Sequence, residues 1–170
     1  TIQEVDRFLT LLNGEPLKYK TFFYLLIYSG FRRGEMLGLE WKDIDFENNT
    51  IEIVRTSNYQ NGETGIYTST PKTKSSVREL YLQPHLTELI RQWYDEQQGN
   101  AEKCGDLWAY SDRLFINWRG EPMRPYYPYK WLKDFCEKEN LPFKGLHSFR
   151  HTVATESIVN GVDVSTVSAI

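Results

Sequence analysis

Cysteine is scarce in this chain: two residues in 170, Cys104 and Cys136, distant from one another and outside any CxxC pair. That excludes a disulfide framework and a cysteine-rich zinc site, and leaves two free thiols. No apolar run reaches the roughly 20 residues that a bilayer-spanning helix needs. The opening residues Thr1-Ile-Gln-Glu lack the charged and apolar regions of a secretory signal. The expected location is therefore the cytoplasm, and no membrane partner is expected. Internal repeats, low-complexity tracts and linkers are also missing. The 170 residues, 40% hydrophobic and 15% aromatic, read as one domain with a substantial core. A surplus of positive charge is lacking too. The net charge of −3 speaks weakly against a nucleic-acid partner.

The distribution of charge qualifies that last point. From Glu35 to Glu52 the acids Glu35, Glu40, Asp43, Asp45, Glu47 and Glu52 face only Lys42. From Arg113 to Lys133 the bases Arg113, Arg119, Arg124, Lys130 and Lys133 face only Glu121. Lys72, Lys74 and Arg78 stand against Glu79. A basic face can coexist with an acidic total, although ordinary surface charge produces such runs as well.

The pattern of apolar residues predicts a mainly α-helical α+β protein with a small three-stranded antiparallel sheet. "TIQEVDRFLTLL" opens with capping-box spacing at Thr1 and Glu4 and continues with Val5, Phe8, Leu9 and Leu12 at helical period. "YKTFFYLLIYSG" is apolar nearly all round, which predicts a buried helix stopped at Gly30. A short helix is predicted over Arg33 to Leu39, with Met36, Leu37, Leu39, Trp41 and Ile44 in the core. "TIEIVRT", "IYTST" and "VRELYL" read as the three strands. Pro84 begins a helix expected to reach about Gln98, followed by a loop-rich stretch from Gly99 to Asp112. "YPYKWLKDFCEKEN" predicts a helix with Trp131, Leu132 and Phe135 inward. A helix follows from "GLHSFRHTVA", and Asp163 is placed to cap a last one.

Three clusters could carry chemistry. In "GLHSFRHTVA", His147, Arg150 and His151 fall within roughly 100° of arc at the start of a helix. Cations at that end oppose the helix dipole, unless an anion sits between them and the free N–H groups. A phosphate meets every condition; so, on four residues alone, does a stray surface Arg and His. Zinc is disfavoured, because position 148 is Ser where HExxH has Glu, and Arg150 shares the face. In "YSGFRRGEMLGLEWKDIDF", Glu35 is three residues from Arg32 and could hold its guanidinium for bidentate work. In "TPKTKSSVREL", Lys72 and Lys74 lie between two predicted strands, where lysines most often face solvent.

Taken together, "SGFRRGEMLGLEWKDID", "TPKTKSSVREL" and "GLHSFRHTVATESIVNGVDVSTVSAI" resemble the catalytic domain of tyrosine recombinases, the phage and conjugative-transposon integrase family. They stand in the family's order and spacing, and the likeness covers essentially the whole chain. It implies the DNA breaking-rejoining fold and site-specific recombination of double-stranded DNA through a 3′-phosphotyrosyl intermediate, with no metal and no cofactor. Arg32 and Arg150 match the two phosphate-clamping arginines and Glu35 the support of the first. Lys74, with Lys72 as second candidate, matches the lysine that protonates the leaving 5′-oxygen. His147 matches the histidine of HxxR.

Arg33, Arg119, Arg124, Lys130 and Lys72 are candidate DNA contacts. Trp118, Tyr126, Tyr127 and Tyr129 are interleaved with that basic stretch, or else pack internally. None of the eleven tyrosines follows Arg150. The family's nucleophile is therefore expected beyond Ile170, which makes this chain a catalytic domain truncated before the nucleophile segment and without the family's N-terminal DNA-clamping domain. A homo-tetramer on DNA is expected of the full-length protein, and no cleavage by the fragment alone. A non-catalytic DNA-binding relic of the same fold, or a type IB-like topoisomerase, are the alternatives.

Overall fold

The computed structural model describes residues 2–61, 65–70 and 77–147. It divides into two compact units, Thr1–Arg33 with Tyr126–Ile170, and Gly34–Pro125. Among the described residues no helix is long and apolar enough to cross a membrane.

The first unit is helical. It holds α1 (Ile2–Leu12), α2 (Leu17–Ser29) and α5 (Tyr126–Lys138). Helix α2 buries Phe22, Phe23, Leu25, Leu26 and Ile27, as expected of a helix apolar on most sides. It ends where Gly30 takes a left-handed conformation, φ 62°, and donates its N–H to the Leu26 carbonyl. The core is aromatic. Phe8 meets Phe23 and Phe135 edge-on at 5.7 and 5.4 Å, and Trp131 stacks on Phe135 at 4.9 Å and on Tyr19 at 4.5 Å. Such pairs add about 0.5–1.5 kcal/mol each beyond the area they bury. Leu132 and Phe135 point inward as the period predicts, while Trp131 is half-buried along the stack. The expected cap at Thr1 and the two helices expected from "SFRHTVA" and from Asp163 lie outside the described residues.

The second unit carries α3 (Arg33–Gly38), whose residues from Gly34 onward belong to it, then a 3-10 turn Trp41–Asp43, β1 (Ile44–Asp45), β2 (Thr50–Ile53), β3 (Thr56–Gln60), β4 (Gly65–Ser69), β5 (Arg78–Tyr81) and α4 (Pro84–Cys104). The strands form two antiparallel sheets, β1-β2-β5 and β3-β4. The expected three-stranded antiparallel sheet is present, but its members differ: β1, β2 and β5 form it, and β3 and β4 form a second one. "TIEIVRT" is not one strand, and "IYTST" and "VRELYL" do not pair with each other. The reason lies in the alternation of residues. Ile51, Ile53 and Arg55 share one side of the chain, and an inward guanidinium needs a carboxylate. Arg55 turns back to Asp43, to both carboxylate oxygens, and donates to the Gly38 carbonyl at 3.1 Å. The chain bends there and the ladder restarts at Thr56 with a different partner, Ser69.

Helix α4 also outruns its expected end near Gln98, and beyond Gln97 its inner side continues only half-buried, with Asn100, Ala101 and Cys104. Gln97 accepts from the Trp41 indole at 2.8 Å and donates to the Leu114 carbonyl at 3.1 Å, which also receives the Trp93 indole at 2.7 Å. Gly99 continues the helix, which stops before Gly105 at φ 59°. Met36, Leu37, Leu39 and Ile44 are core as expected, and Trp41 is half-buried.

Six residues are too few for a helix to be stable by itself, so α3 depends on what grips it. Its two glycines, one turn apart, lie on the chain at 55–57. A Cβ at Gly34 would stand 2.6 Å from the Thr56 methyl, and one at Gly38 would stand 2.8 Å from the Arg55 carbonyl oxygen. The carbonyls at its C-terminal end are capped by guanidinium groups, Leu37 by Arg113 at 3.1 Å and Gly38 by Arg55. Arg113 also donates to the Thr68 hydroxyl on β4 at 2.7 Å. Between the two arginines lies Glu40, 3.6 Å from Arg55 and 3.9 Å from Arg113, with Lys42 at 2.8 Å on its other oxygen. Burial opposes the charged form of Glu40. The Lys42 hydrogen bond and the charges of Arg55, Lys42 and Arg113 outweigh it and lower its pKa below the ordinary 4.5.

Gly38→Ala is expected to destabilise the protein by about 1–3 kcal/mol through overpacking against backbone, despite alanine's helix propensity. Gly99→Ala, where a Cβ meets nothing within 4 Å, is expected to stabilise by up to about 1 kcal/mol. Urea midpoints of the two variants check this opposition of sign. Glu40 is more acidic in the folded chain than in the unfolded one, so its stabilisation is complete above the ordinary 4.5 and is lost as pH falls through the lowered folded value. Glu40→Gln should therefore flatten the fall of stability below that pH, measured as urea midpoint against pH.

Candidate functional site

The predicted site residues fall on both units and on undescribed segments. Arg32 stands exposed immediately before α3, and Arg33, also exposed, is the first residue of α3. Lys72, Lys74 and Arg150, with His151, lie outside the described residues. His147 is exposed beside buried Leu146, close after Gly145 at φ 75°.

Glu35 is buried, 6% exposed. The fork on its two oxygens comes from Arg78, with Nη1 and Nη2 each at 3.1 Å. Arg78 reaches it because β5 pairs with β2 in a register that sets Arg78 opposite Ile53 and Leu80 opposite Ile51, on the side where Ile51 and Ile53 are buried. A strand residue on that face cannot send its charge to water, and the carboxylate of α3 receives it. Arg78 is a residue that sequence reasoning counted only as local charge. The alternation of "VRELYL", with Arg78 and Leu80 on one side, was the available signal for an inward arginine. Its partner 43 positions away was not readable.

The expected basic, aromatic surface divides. Arg113 is buried, 7% exposed, and is spent on Leu37, Thr68 and Glu40. It is no surface cation, because its guanidinium caps a helix end. Burial pushes its pKa down, and the repulsion of Arg55 adds to this against Glu40 and Asp43. Arg119 and Arg124 are exposed, as expected. Arg119 lies over the ring of Trp118 at 5.8 Å, on a turn in which Asn117 Oδ1 accepts from the N–H groups of Arg119 and Glu121. Arg124 lies over the ring of Tyr59 on β3 at 5.3 Å. Trp118 is 70% exposed, which settles it as surface rather than core.

In the helical unit, Tyr126, Tyr127 and Tyr129 at the start of α5 are exposed as well. Lys130 is exposed but paired with Asp134 at 2.6 Å, which raises its pKa. Its charge is therefore partly neutralised one helical turn away.

The geometry offers an exposed arginine at the start of a firmly held short helix, a locked carboxylate behind it, and stacked arginines on a nearby strand and turn of the same unit as that carboxylate. Such groups suit anionic backbones, because guanidinium groups meet phosphate bidentately and aromatic faces hold them in place.

A family model described as "Phage integrase family" matches residues 1–170. The chain is similar to the ICEBs1 integrase of Bacillus subtilis (strain 168), 30% identical over 165 residues that cover 97% of this chain and 44% of that protein. It is similar to the transposase from transposon Tn916 of Enterococcus faecalis, 27% identical over 91% of this chain and 40% of that one. The chain thus spans less than half the length of these relatives. Among solved structures, the Tn1549 transposon integrase in complex with a circular intermediate DNA superposes with a TM-score of 0.83 at 22% identity, covering 99% of this chain and 55% of that chain. XerA recombinase gives 0.75 at 19%, covering 99% and 53%. The fold is that of the tyrosine recombinase catalytic domain, mostly helical with small antiparallel sheets. Its mobile-element relatives include the ICEBs1 and Tn916 enzymes, and by the match along its whole length this chain belongs to the phage integrase family of tyrosine recombinases.

Proposed function

We propose that this chain is the catalytic domain of a site-specific recombinase that integrates a mobile element into double-stranded DNA. The observation that carries this reading is the family match over residues 1–170, supported by the presence of Arg32, Lys74, His147 and Arg150 in the sequence. The DNA held by the Tn1549 relative supports duplex DNA as partner, and the exposed Arg33, Arg119 and Arg124 are the contacts proposed for it, with Lys72 and Lys130 beside them.

In the reaction, a tyrosine oxygen attacks the scissile phosphorus, the bond from phosphorus to the 5′-oxygen breaks, and a 3′-phosphotyrosine forms. No water is consumed, so the 5′-hydroxyl of a partner strand can reverse the step. Arg32 and Arg150 stabilise the charge that gathers on the non-bridging oxygens, which lets the step proceed without a metal. Lys74 gives its proton to the leaving 5′-oxygen. His147 contacts the phosphate or moves a proton. The tyrosine is proposed to follow Ile170 in the longer protein, which assembles as a tetramer on DNA.

The full-length protein mixed with a nicked half-site duplex in EDTA should give a protein–DNA adduct stable to SDS. Arg150→Ala should lower adduct formation by about 10²-fold or more with DNA affinity little changed, since many other phosphate contacts remain. Absence of an adduct, or an adduct that persists when the nucleophilic tyrosine is replaced by Phe, overturns the mechanism.

A further inference from the structure

We infer that Trp118, at the turn 117–120, is an apolar contact for duplex DNA. Its indole lies against the sugar and base edges of a groove while Arg119 takes the adjoining phosphate. The inference deepens the recombinase reading above and rests on it. Trp118 is 70% exposed, whereas the other four tryptophans are buried or half-buried. A ring left so far in water adds little to the fold's own core.

The backbone that presents this ring is held from several sides. The Asn117 carbonyl accepts from the Gly120 N–H at 3.1 Å, and Asn117 Oδ1 accepts from the N–H groups of Arg119 at 2.9 Å and Glu121 at 3.0 Å. The Arg119 carbonyl accepts from the Ala109 N–H at 2.7 Å. Gly120, at φ 80°, lies on Trp108, where a Cβ would stand 2.6 Å from the ring. Behind the turn, Met123 donates to the Phe115 carbonyl at 3.1 Å and Leu114 to the Leu39 carbonyl at 3.0 Å, which ties the hairpin to the end of α3. Only four residues, about 14 Å of chain at full extension, lead from Leu114 to Trp118. A side chain carried on so constrained a backbone loses little freedom when it meets a partner. Tyr110, next to Ala109, is also exposed and stands at φ 47°. That conformation costs about 1–2 kcal/mol, which burial of its ring does not offset.

The chemistry beside the indole selects the partner. The Arg119 guanidinium lies over the Trp118 ring at 5.8 Å, and Arg124, five residues on, lies over Tyr59 at 5.3 Å. Glu121, the nearest acid along the chain, is engaged by Asn117 Nδ2 at 2.7 Å. A protein that covered the indole would also desolvate the guanidinium on it, at a cost unless it brought a carboxylate to that point. A DNA strand presents an anion at every nucleotide, with the apolar face of a deoxyribose beside it. Ring and guanidinium then both find counterparts in one ligand, and the two contribute differently. The arginine's share weakens with salt, because it displaces a counterion. The indole's share does not.

The test measures binding of the full-length protein to a duplex carrying the element's end, over a series of salt concentrations. Trp118→Ala is expected to weaken binding by about tenfold, as for loss of one face of a large apolar side chain, with the slope of log K against log salt unchanged. Arg119→Ala should instead reduce that slope by about 1. Saturating duplex should also protect from acrylamide the part of the tryptophan fluorescence that Trp118→Phe removes. Because the ring is exposed, both Trp118 variants should keep the thermal transition of the unsubstituted protein. Unchanged affinity in Trp118→Ala, no protection of Trp118 by duplex, or a loss in Trp118→Ala that tracks a loss of self-association in sedimentation without DNA overturns the inference, the last in favour of a protein partner. Failure of the unsubstituted protein to bind the duplex overturns the recombinase reading itself.

Discussion

The second unit is organised around three arginines that do not face water. Arg55, Arg78 and Arg113 each turn a guanidinium toward α3, a helix too short to hold itself. Two of them cap its last carbonyls and the third grips its one carboxylate. Each comes from a different stretch: the bend between β2 and β3, the start of β5, and the extended segment before Phe115. A guanidinium has five donors in a rigid plane, so it can join a helix end to a strand in a way an ammonium cannot. The carboxylates Glu35, Glu40 and Asp43 make this possible, and they are three of the six acids in the run from Glu35 to Glu52. Those three negative charges are used inside the fold and are not offered to a DNA partner.

The consequence for function is that exposed and buried cations have separate tasks. Arg32, Arg33, Arg119 and Arg124 are exposed, and the last two rest on aromatic rings that restrict their freedom. The buried arginines fix the elements from which exposed ones project. The net charge of −3 adds the two populations together, which is why it says little about the surface that meets a polyanion.

The helical unit was largely legible in advance. The apolar girdle of α2 and its stop at Gly30 and the inward Leu132 and Phe135 of α5 follow from local periodicity, as do Met36, Leu37, Leu39 and Ile44 in the second unit, because burial of one face needs no knowledge of its partner. The sheets were less so. The strands were seen, but strand pairing is a choice among distant partners. The inward Arg55 that breaks "TIEIVRT" acts through Asp43, twelve residues back. The stop assigned to α4 rested on the polar stretch that begins at Gly99, and the helix runs through that stretch to Cys104 with Asn100, Ala101 and Cys104 half-buried.

By itself the sequence determined the kind of protein. Arg32, Glu35, Lys74, His147 and Arg150 stand at spacings that three separate motifs share with one family, and spacing along the chain is a property of the sequence. The tertiary structure alone decided which charges are available. Arg78 and Arg113 look in sequence like Arg119 and Arg124, members of basic runs. Register sets Arg78 opposite Ile53 on the buried face, and the Leu37 carbonyl draws Arg113 inside. Whether a guanidinium meets solvent or a carboxylate depends on which distant segment packs against it, and that is settled only when the chain has folded.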